Sequence, residues 1–278
     1  MNALPLVSIG MPVYNGERTL AAAIESILAQ TWPDWELVIS DNCSTDATEA
    51  ICRGYAAGEP RIRYLRQPVN QGAHANFRCV LDQARGEYFM WAAADDLRSA
   101  DFIEVNLSFL RGHPDYASSC SPVRLEGASD ARYVGDSPVT GSRAERILGV
   151  IPAHANGRFY ALFRRSALLD CREIVNPYLG SDWSIMVHVA AQGALNRVEK
   201  GWTVLGSGGA SRSGNLYRGS RRDRLDFWLP FATFSRFAWS HRDGFSPAQK
   251  LRLLGKLAHL NAFGFIAQAG EALRRARR

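Results

Sequence analysis

Apolar runs alternate with amphipathic stretches over the first hundred positions. Residues 6–13 (LVSIGMPV), 35–40 (WELVIS) and 62–65 (IRYL) predict buried strands, and so does the run that opens residues 88–97 (YFMWAAADDL). Between them, Leu20, Ile24, Ile27 and Leu28 fall at helical spacing, with Asn15 as a cap and Glu17 in the first turn. Ile51 and Tyr55 mark a second helix, capped by Ser44 or Thr45. Ala73, Phe77, Val80, Leu81 and Ala84 stripe a third, which ends at Gly86, a residue suited to a left-handed cap. Four strands alternating with helices predict a parallel sheet covered on both faces.

The regularity then weakens. Residues 102–110 carry a helical period, the helix running from about Ser99, and 117–125 predict a strand. Residues 126–139 are a polar excursion, 144–150 a short helix and 158–163 (RFYALF) a strand; a turn or helix starts at Ser166. Residues 181–192 predict a helix with Asp182 in its first turn, 195–205 another strand, and 206–219 a mobile Gly/Ser-rich loop. Beyond Arg221, Phe227, Trp228, Leu229, Phe231, Phe234, Phe237 and Trp239 crowd together. A helical stretch, 248–276, leads into the terminal arginines. The aromatic cluster has two readings. It packs on the preceding domain, or it lies on a membrane surface with Trp228 and Trp239 at headgroup level. In the second case Arg218, Arg221, Arg222 and Arg224 meet anionic lipid. Pro230 and Arg236 argue against a span.

Composition narrows little. The 278 residues are 46% hydrophobic, enough for one large domain or a domain with an appendage. The net charge of +6 permits a phosphate-rich ligand, a nucleic acid or an anionic membrane. Five cysteines without a C-x-x-C spacing argue against a zinc site or a disulfide framework and fit a reducing cytosol. The N-terminus lacks the pattern of a signal peptide, and no apolar run is long enough to span a membrane.

Chemistry gathers at the strand ends. Loops 14–17, 41–46 and 95–96 follow the carboxyl ends of predicted parallel strands and should converge on one edge of the sheet, where open α/β sheets bind ligands. They offer an aromatic ring, an acid able to accept from a base or ribose, and a carboxylate pair, Asp95 and Asp96, able to hold a divalent cation. A nucleoside diphosphate needs all three. The plainer alternative for the pair is a cap on the next helix. No G-x-x-x-x-G-K-[ST] loop is present. No G-x-G-x-x-G follows the first strand, and the GSGG at 206–209 comes late. Phosphates bound here would be neutralised by a cation and side chains.

The segment VSIGMPVYNGERTLAAAIESILAQTWPDWELVISDNCSTDAT resembles the opening of an inverting family 2 glycosyltransferase. The likeness continues through NQGAHANF, WAAADDL, RFYALFRRSAL and GSDWSIMVHVAAQG, covering roughly residues 5 to 215. It implies an α/β fold of the GT-A (nucleotide-diphospho-sugar transferase) type, with a mostly parallel central sheet flanked by helices. The domain would occupy residues 1–218, a nucleotide-binding half (1–98) and an acceptor-binding half (99–218), followed by a helical extension at 219–278. By this resemblance Pro12, Tyr14 and Glu17 form the first nucleotide-contacting loop. Asp41 reads the base, with Asn42 and Ser44 shaping its turn, and Asn70 and Gly72 flank the nucleotide. Asp95 lies near the ribose or diphosphate and shares Mg²⁺ or Mn²⁺ with Asp96, the usual metal ligand. Asp182 is the catalytic base.

The resemblance further implies a nucleoside-diphosphate sugar as donor, UDP by default with dTDP or GDP open. The acceptor would be a saccharide or lipid-linked saccharide in bacterial-type polysaccharide or glycolipid assembly. No nucleic acid partner is expected. The location would be cytoplasmic, with peripheral contact at the inner face of the plasma membrane left open. Three departures stand out. Ala93 replaces a further acid of the motif, Cys43 stands where glycine is common, and only Arg212 is a candidate for the basic group that touches the diphosphate. Two other readings stay open: a non-catalytic nucleotide-sugar-binding scaffold, suggested by Ala93, and a nucleotidyltransferase. The latter calls for a Gly-rich, basic first loop, and MPVYNGERTL has one arginine. His154 and Asn156 precede an apolar run where an acceptor could dock, or sit in a solvated loop. His74 is expected at the surface.

Overall fold

The computed structural model describes residues 5–127, 135–151, 156–206 and 225–276. The first half follows the predicted alternation: β1 (Val7–Val13), α1 (Leu20–Leu28), β2 (Trp35–Asp41), α2 (Thr48–Gly58), β3 (Ile62–Arg66), α3 (Ala73–Asp82) and β4 (Tyr88–Trp91). β5 (Leu97–Arg98), α4 (Phe102–Gly112), β6 (Tyr116–Cys120), β7 (Val123–Leu125) and α5 (Arg143–Val150) follow. A 3₁₀ turn (Gly157–Tyr160) leads into β8 (Leu162–Arg164) and α6 (Ser166–Leu169). After a second 3₁₀ turn (Arg172–Val175) come α7 (Ser181–Gln192), β9 (Ala194–Arg197) and β10 (Thr203–Leu205). α8 (Leu225–Trp228), α9 (Ala232–Ser240) and α10 (Pro247–Ala276) close the described chain.

Seven strands form one sheet in the order β3-β2-β1-β4-β8-β6-β9, and β5-β10-β7 form a second. In the large sheet β8 alone runs antiparallel to its neighbours. Two-residue periodicity sends the strands' side chains into two cores, one on each face. Val7, Ile9 and Met11 of β1 join Leu37 and Ile39 against Leu20, Ile24, Ile27 and Phe102. Phe89 and Trp91 of β4 face the other way, toward Val80, Phe163 and the apolar side of α7. Gly10 leaves room for this second core, since a Cβ there would lie 2.6 Å from Val80 and 2.7 Å from Phe89.

Several local expectations give way to tertiary packing. The predicted strand 117–125 divides into β6 and β7, which belong to different sheets; Pro122 has no N–H for a ladder at the break. The predicted strand 195–205 likewise divides into β9 and β10, around Gly201 at φ +70°. In 158–163 only Leu162 and Phe163 pair as strand. Phe159 instead stacks on Trp91, centroids 4.8 Å apart and planes 4° apart, within a 3₁₀ turn. Asn15 caps no helix: it takes φ +52°, and α1 starts after Thr19, so Glu17 lies ahead of it. α2 starts after Ala47, which leaves Ser44 and Thr45 outside its cap. α4 starts at Phe102, later than Ser99. Gly86 is no left-handed cap; α3 ends at Asp82, and a Cβ on Gly86 would meet the backbone of Ser8 at 2.7 Å.

Phe231 and Phe234 are buried against α7, whereas Trp228 is 63% exposed.

Candidate active site

β1, β2 and β4 are parallel neighbours, with Val13 opposite Asp41 and Gly10 opposite Trp91, so the loops after them share one edge of the sheet. The first two loops interlock through short polar contacts. Asn15 N donates to Ser44 Oγ (2.9 Å), Gly16 N to Thr48 Oγ1 (2.8 Å) and Glu17 N to Asp46 Oδ2 (3.1 Å). In return Thr45 N donates to Asn15 Oδ1 (2.8 Å) and Ala47 N to Glu17 Oε2 (3.0 Å). Glu17 thus satisfies a donor at the start of α2, a task its place ahead of α1 did not announce. Pro12 is buried in β1, and Tyr14 is 50% exposed, its ring open to a planar partner.

Asp41 ends β2 fully buried. Its Oδ1 accepts from Ser44 N (2.8 Å), and its Oδ2 from Tyr64 OH (2.8 Å) and Arg66 Nη1 (2.7 Å). The turn between needs Cys43 at φ +63°, a conformation natural to glycine. Asn42 carries the site to the turn at Asn70–Gly72. Its Nδ2 donates to Asn70 Oδ1 (2.9 Å), which also accepts from Gly72 N (2.9 Å), while Gln71 N donates to Asn42 Oδ1 (2.9 Å). Gly72, at φ +84°, opens α3. Asn76 in the first turns of α3 donates to Ser40 O (2.8 Å) and Val13 O (3.3 Å), pinning the helix to the ends of β1 and β2.

Asp95 and Asp96 follow β4. Asp96 is 4% exposed; its Oδ1 accepts from Gly206 N (3.0 Å), just past β10. Gly206 must be glycine, because a Cβ there would lie 2.3 Å from Asp95 O. Asp96 Oδ2 is buried with no partner among the described residues. Burial pushes its carboxyl up to about 6, against the pull of the Arg98 guanidinium, and the charge of Asp95 adds to the rise. Arg98 is itself buried, and its Nη2 donates to Trp91 O (2.6 Å). An orphaned carboxylate oxygen beside a second carboxylate suits a hard divalent cation that takes its other oxygens from a diphosphate and water. Among the described residues no cluster of three or more His, Cys, Asp or Glu forms a ready-made metal cage.

Asp182 sits in the first turn of α7, after Gly180 at φ +88°. Its Oδ2 accepts from Asn156 Nδ2 (3.0 Å), and burial raises its pKa, with that hydrogen bond opposing. On either side of it, Ser181 Oγ lies 2.9 Å from His74 Nε2, and Trp183 stacks on Phe231 at 5.2 Å. His74 is therefore half-buried at the site, not at the surface as expected.

The charges of both groups of acids act on Tyr160. Burial raises the pKa of its phenol most, then Asp96 and Asp95; Arg98 opposes, and Asp182 adds to the rise. The structure thus gathers the three loops, Asn70, Gly72, the acid pair and Asp182. Arg212 and His154 lie outside the described residues. Sequence reasoning missed Tyr160, Asn76 and the roles of His74 and Gly206. The run RFYALF held a polar hydroxyl among apolar neighbours, the one signal available for Tyr160.

Two solved structures share this architecture. TarS 1–349 of S. aureus, in complex with UDP-GlcNAc, superposes with a TM-score of 0.66 at 17% identity, over 91% of this chain and 71% of that one. The mannosyltransferase PcManGT from Pyrobaculum calidifontis, in complex with GDP-Man and Mn2+, gives 0.59 at 17% identity, over 99% and 76%. At such identities the likeness shows the fold, which is GT-A. Among curated sequences, EpsE of Bacillus subtilis (strain 168), a provisionally named glycosyltransferase, is 40% identical over 117 residues, 42% of each chain. The GalNAc(5)-diNAcBac-PP-undecaprenol beta-1,3-glucosyltransferase of Campylobacter jejuni is 27% identical over 188 residues, 67% of this chain and 60% of that one. These matches span less than two thirds of each relative's length. The sequence profile of Glycosyl transferase family 2 matches residues 8–172, more than half of the chain, and the chain belongs to that family.

Proposed function

We propose that this chain transfers a sugar from a nucleoside-diphosphate sugar to an acceptor hydroxyl, with inversion at the anomeric carbon. The observation that carries the reading is the acid pair at the sheet edge: Asp96 Oδ2 is buried with no partner among the described residues, beside Asp95. The charges of Asp96, Asp95 and Asp182 all act on the Tyr160 phenol. In this reading the diphosphate lies at the acid pair and the anomeric carbon faces Asp182.

In the reaction Asp182 takes the proton of the acceptor hydroxyl. The oxygen forms its bond to the anomeric carbon from the face opposite the leaving group, and the bond from that carbon to the diphosphate oxygen breaks with its electron pair. One carboxylate suffices, because the leaving group needs its charge neutralised rather than a proton. A positioned base is worth about 10²–10⁴-fold. Asp96 and Asp95 would hold the Mg²⁺ or Mn²⁺ ion, which when bound neutralises charge on the diphosphate. Tyr14 would stack on the base, Asp41 and Asn42 would line its edge, and the Asn70–Gly72 turn would flank the nucleotide. Pro12 and Glu17 would shape the loop beneath it. Arg212 remains our candidate for a diphosphate contact.

The nucleotide is UDP by default, in keeping with TarS, though PcManGT binds GDP-Man and dTDP is a third choice. The acceptor class is a saccharide or lipid-linked saccharide, in keeping with the undecaprenol-linked substrate in the Campylobacter relative's name. Peripheral membrane contact fits the C-terminal surface. Trp228, Leu251 (71% exposed), Leu254 and Ile266 (68% exposed) are open to solvent there; Trp228 and Leu254 line one groove with Arg236, and exposed Arg252 follows Leu251 in α10. Among the described residues no helix is long and apolar enough to cross a membrane.

The test is a panel of UDP-, dTDP- and GDP-sugars with Mg²⁺, Mn²⁺ or chelator, reading release of nucleoside diphosphate and the shift in Tm. One donor should raise Tm and be slowly hydrolysed when cation is present. Indifference to every donor under every condition would refute the proposal.

A further inference from the structure

We propose that Asn156 is a positioning residue for Asp182: its side-chain amide fixes the orientation of the carboxylate and holds it in the ionised form that accepts a proton. The inference rests on the reaction assigned above and names a residue outside every motif that the sequence offered for it.

The geometry is direct. Asn156 Nδ2 donates to Asp182 Oδ2 at 3.0 Å across 26 residues. An amide N–H donated to a carboxylate oxygen stabilises the charged form and not the protonated one. Burial acts the other way on Asp182; after Asn156, the backbone N–H groups of Trp183 and Asp182 also favour the anion. The titratable neighbour acting across space is Tyr160, on which the charges of Asp95, Asp96 and Arg98 also act. His74 meets Ser181, one residue earlier, and on the other side Trp183 packs on the apolar rings Phe231 and Phe234. The amide of Asn156 is thus the side-chain group that favours the anion.

Asn156 is also well held. It precedes the 3₁₀ turn, where Phe159 N donates to its carbonyl (3.1 Å) and Phe159 stacks on Trp91 at the end of β4. The turn therefore ties the base to the strand that carries the acid pair. Its backbone, at φ −131°, admits any residue, so a change of side chain leaves the turn intact.

Two variants and two readouts test this. Carboxyl ¹³C NMR titration, with Asp182→Asn to assign the resonance, gives the pKa of Asp182 without any substrate. Asn156→Ala should raise it. Asn156→Asp should raise it further and split the titration into two steps, because two adjacent carboxylates then share a proton. In turnover, Asn156→Ala should lower kcat on the order of 10²-fold, as expected for a misplaced reacting group, with donor KM unchanged. The acid limb of its pH profile should move to higher pH. An unchanged Asp182 pKa would overturn the proposal, as would a kcat loss uniform across pH and matched by a fall in Tm, which marks a merely structural contact. If Asp182→Asn transferred sugar at the wild-type rate, the assigned reaction itself would fall. An inactive Asp182→Asn beside a wild-type-like Asn156→Ala would remove only the role of Asn156.

Discussion

His74 Nε2 and Ser181 Oγ stand 2.9 Å apart, joining the first turn of α3 to the first turn of α7 across 107 residues. On one side the contact adjoins the Asn70–Gly72 turn, and on the other it adjoins Asp182. It therefore joins the helix after the Asn70–Gly72 turn to the helix that carries Asp182, the proposed base.

His74→Ala should cost about 1 kcal/mol of stability, the net value of one such hydrogen bond. It should depress sugar transfer more than donor binding, because the donor loop keeps its Asn42–Asn70 link. Chemical denaturation and donor titration check this, and His74→Gln, which can bridge to Ser181, should recover most of the loss.

Asp96 predicts an unusual pH dependence for the cation-free protein. Its folded-state pKa of about 6 lies above the ordinary 3.8, so the folded chain binds more protons than the unfolded chain between those values. Its contribution is thus most favourable below the lower value and is lost as pH rises through the upper one. The full loss is about 3 kcal/mol, at about 1.4 kcal/mol per unit. Cation-free Asp96→Asn should melt above the wild type at neutral pH, with the gap closing toward pH 4. It should also lose any cation-dependent rise in Tm.

The buried Asp41 carboxylate depends on Tyr64 and Arg66. Tyr64→Phe should cost about 1.5 kcal/mol, the low end for a hydrogen bond to a charged group. Arg66→Ala should lower Tm further, since it strips the cation from a buried acid. Thermal melts of both variants decide the order.

Much of this site was legible in the sequence, and the reason is local. β1, β2 and β4 are apolar runs that stop at Tyr14, Asp41 and Asp95, so the pattern alone placed ring, acid and acid pair at strand ends. The stripes of α3 and α7 fixed which elements follow. What escaped depends on distant partners. Asp96 is held by Gly206, 110 positions on, and Asp182 by Asn156, whose neighbours suggested a strand until Phe159 turned toward Trp91. Glu17 looked like a first-turn helix acid because Asn15 read as the cap, whereas α1 starts only after Thr19. The splits of 117–125 and 195–205 follow from a second sheet that hydrophobic runs do not announce.

The exposed face of α10 predicts a lipid response. Wild-type protein should float with anionic vesicles and be released by salt, as basic residues beside apolar ones imply. Leu251→Glu combined with Ile266→Glu should abolish flotation without lowering Tm, since both side chains lie at the surface. Equal flotation of variant and wild type would remove this surface from the account.

The role of Asp182 as the base is open to test with Asp182→Asn. Donor affinity and transfer should be measured side by side for wild type and variant. If Asp182 is the base, donor binding is unchanged and transfer falls by about 10²–10⁴-fold. Transfer at the wild-type rate, with donor binding intact, would contradict it.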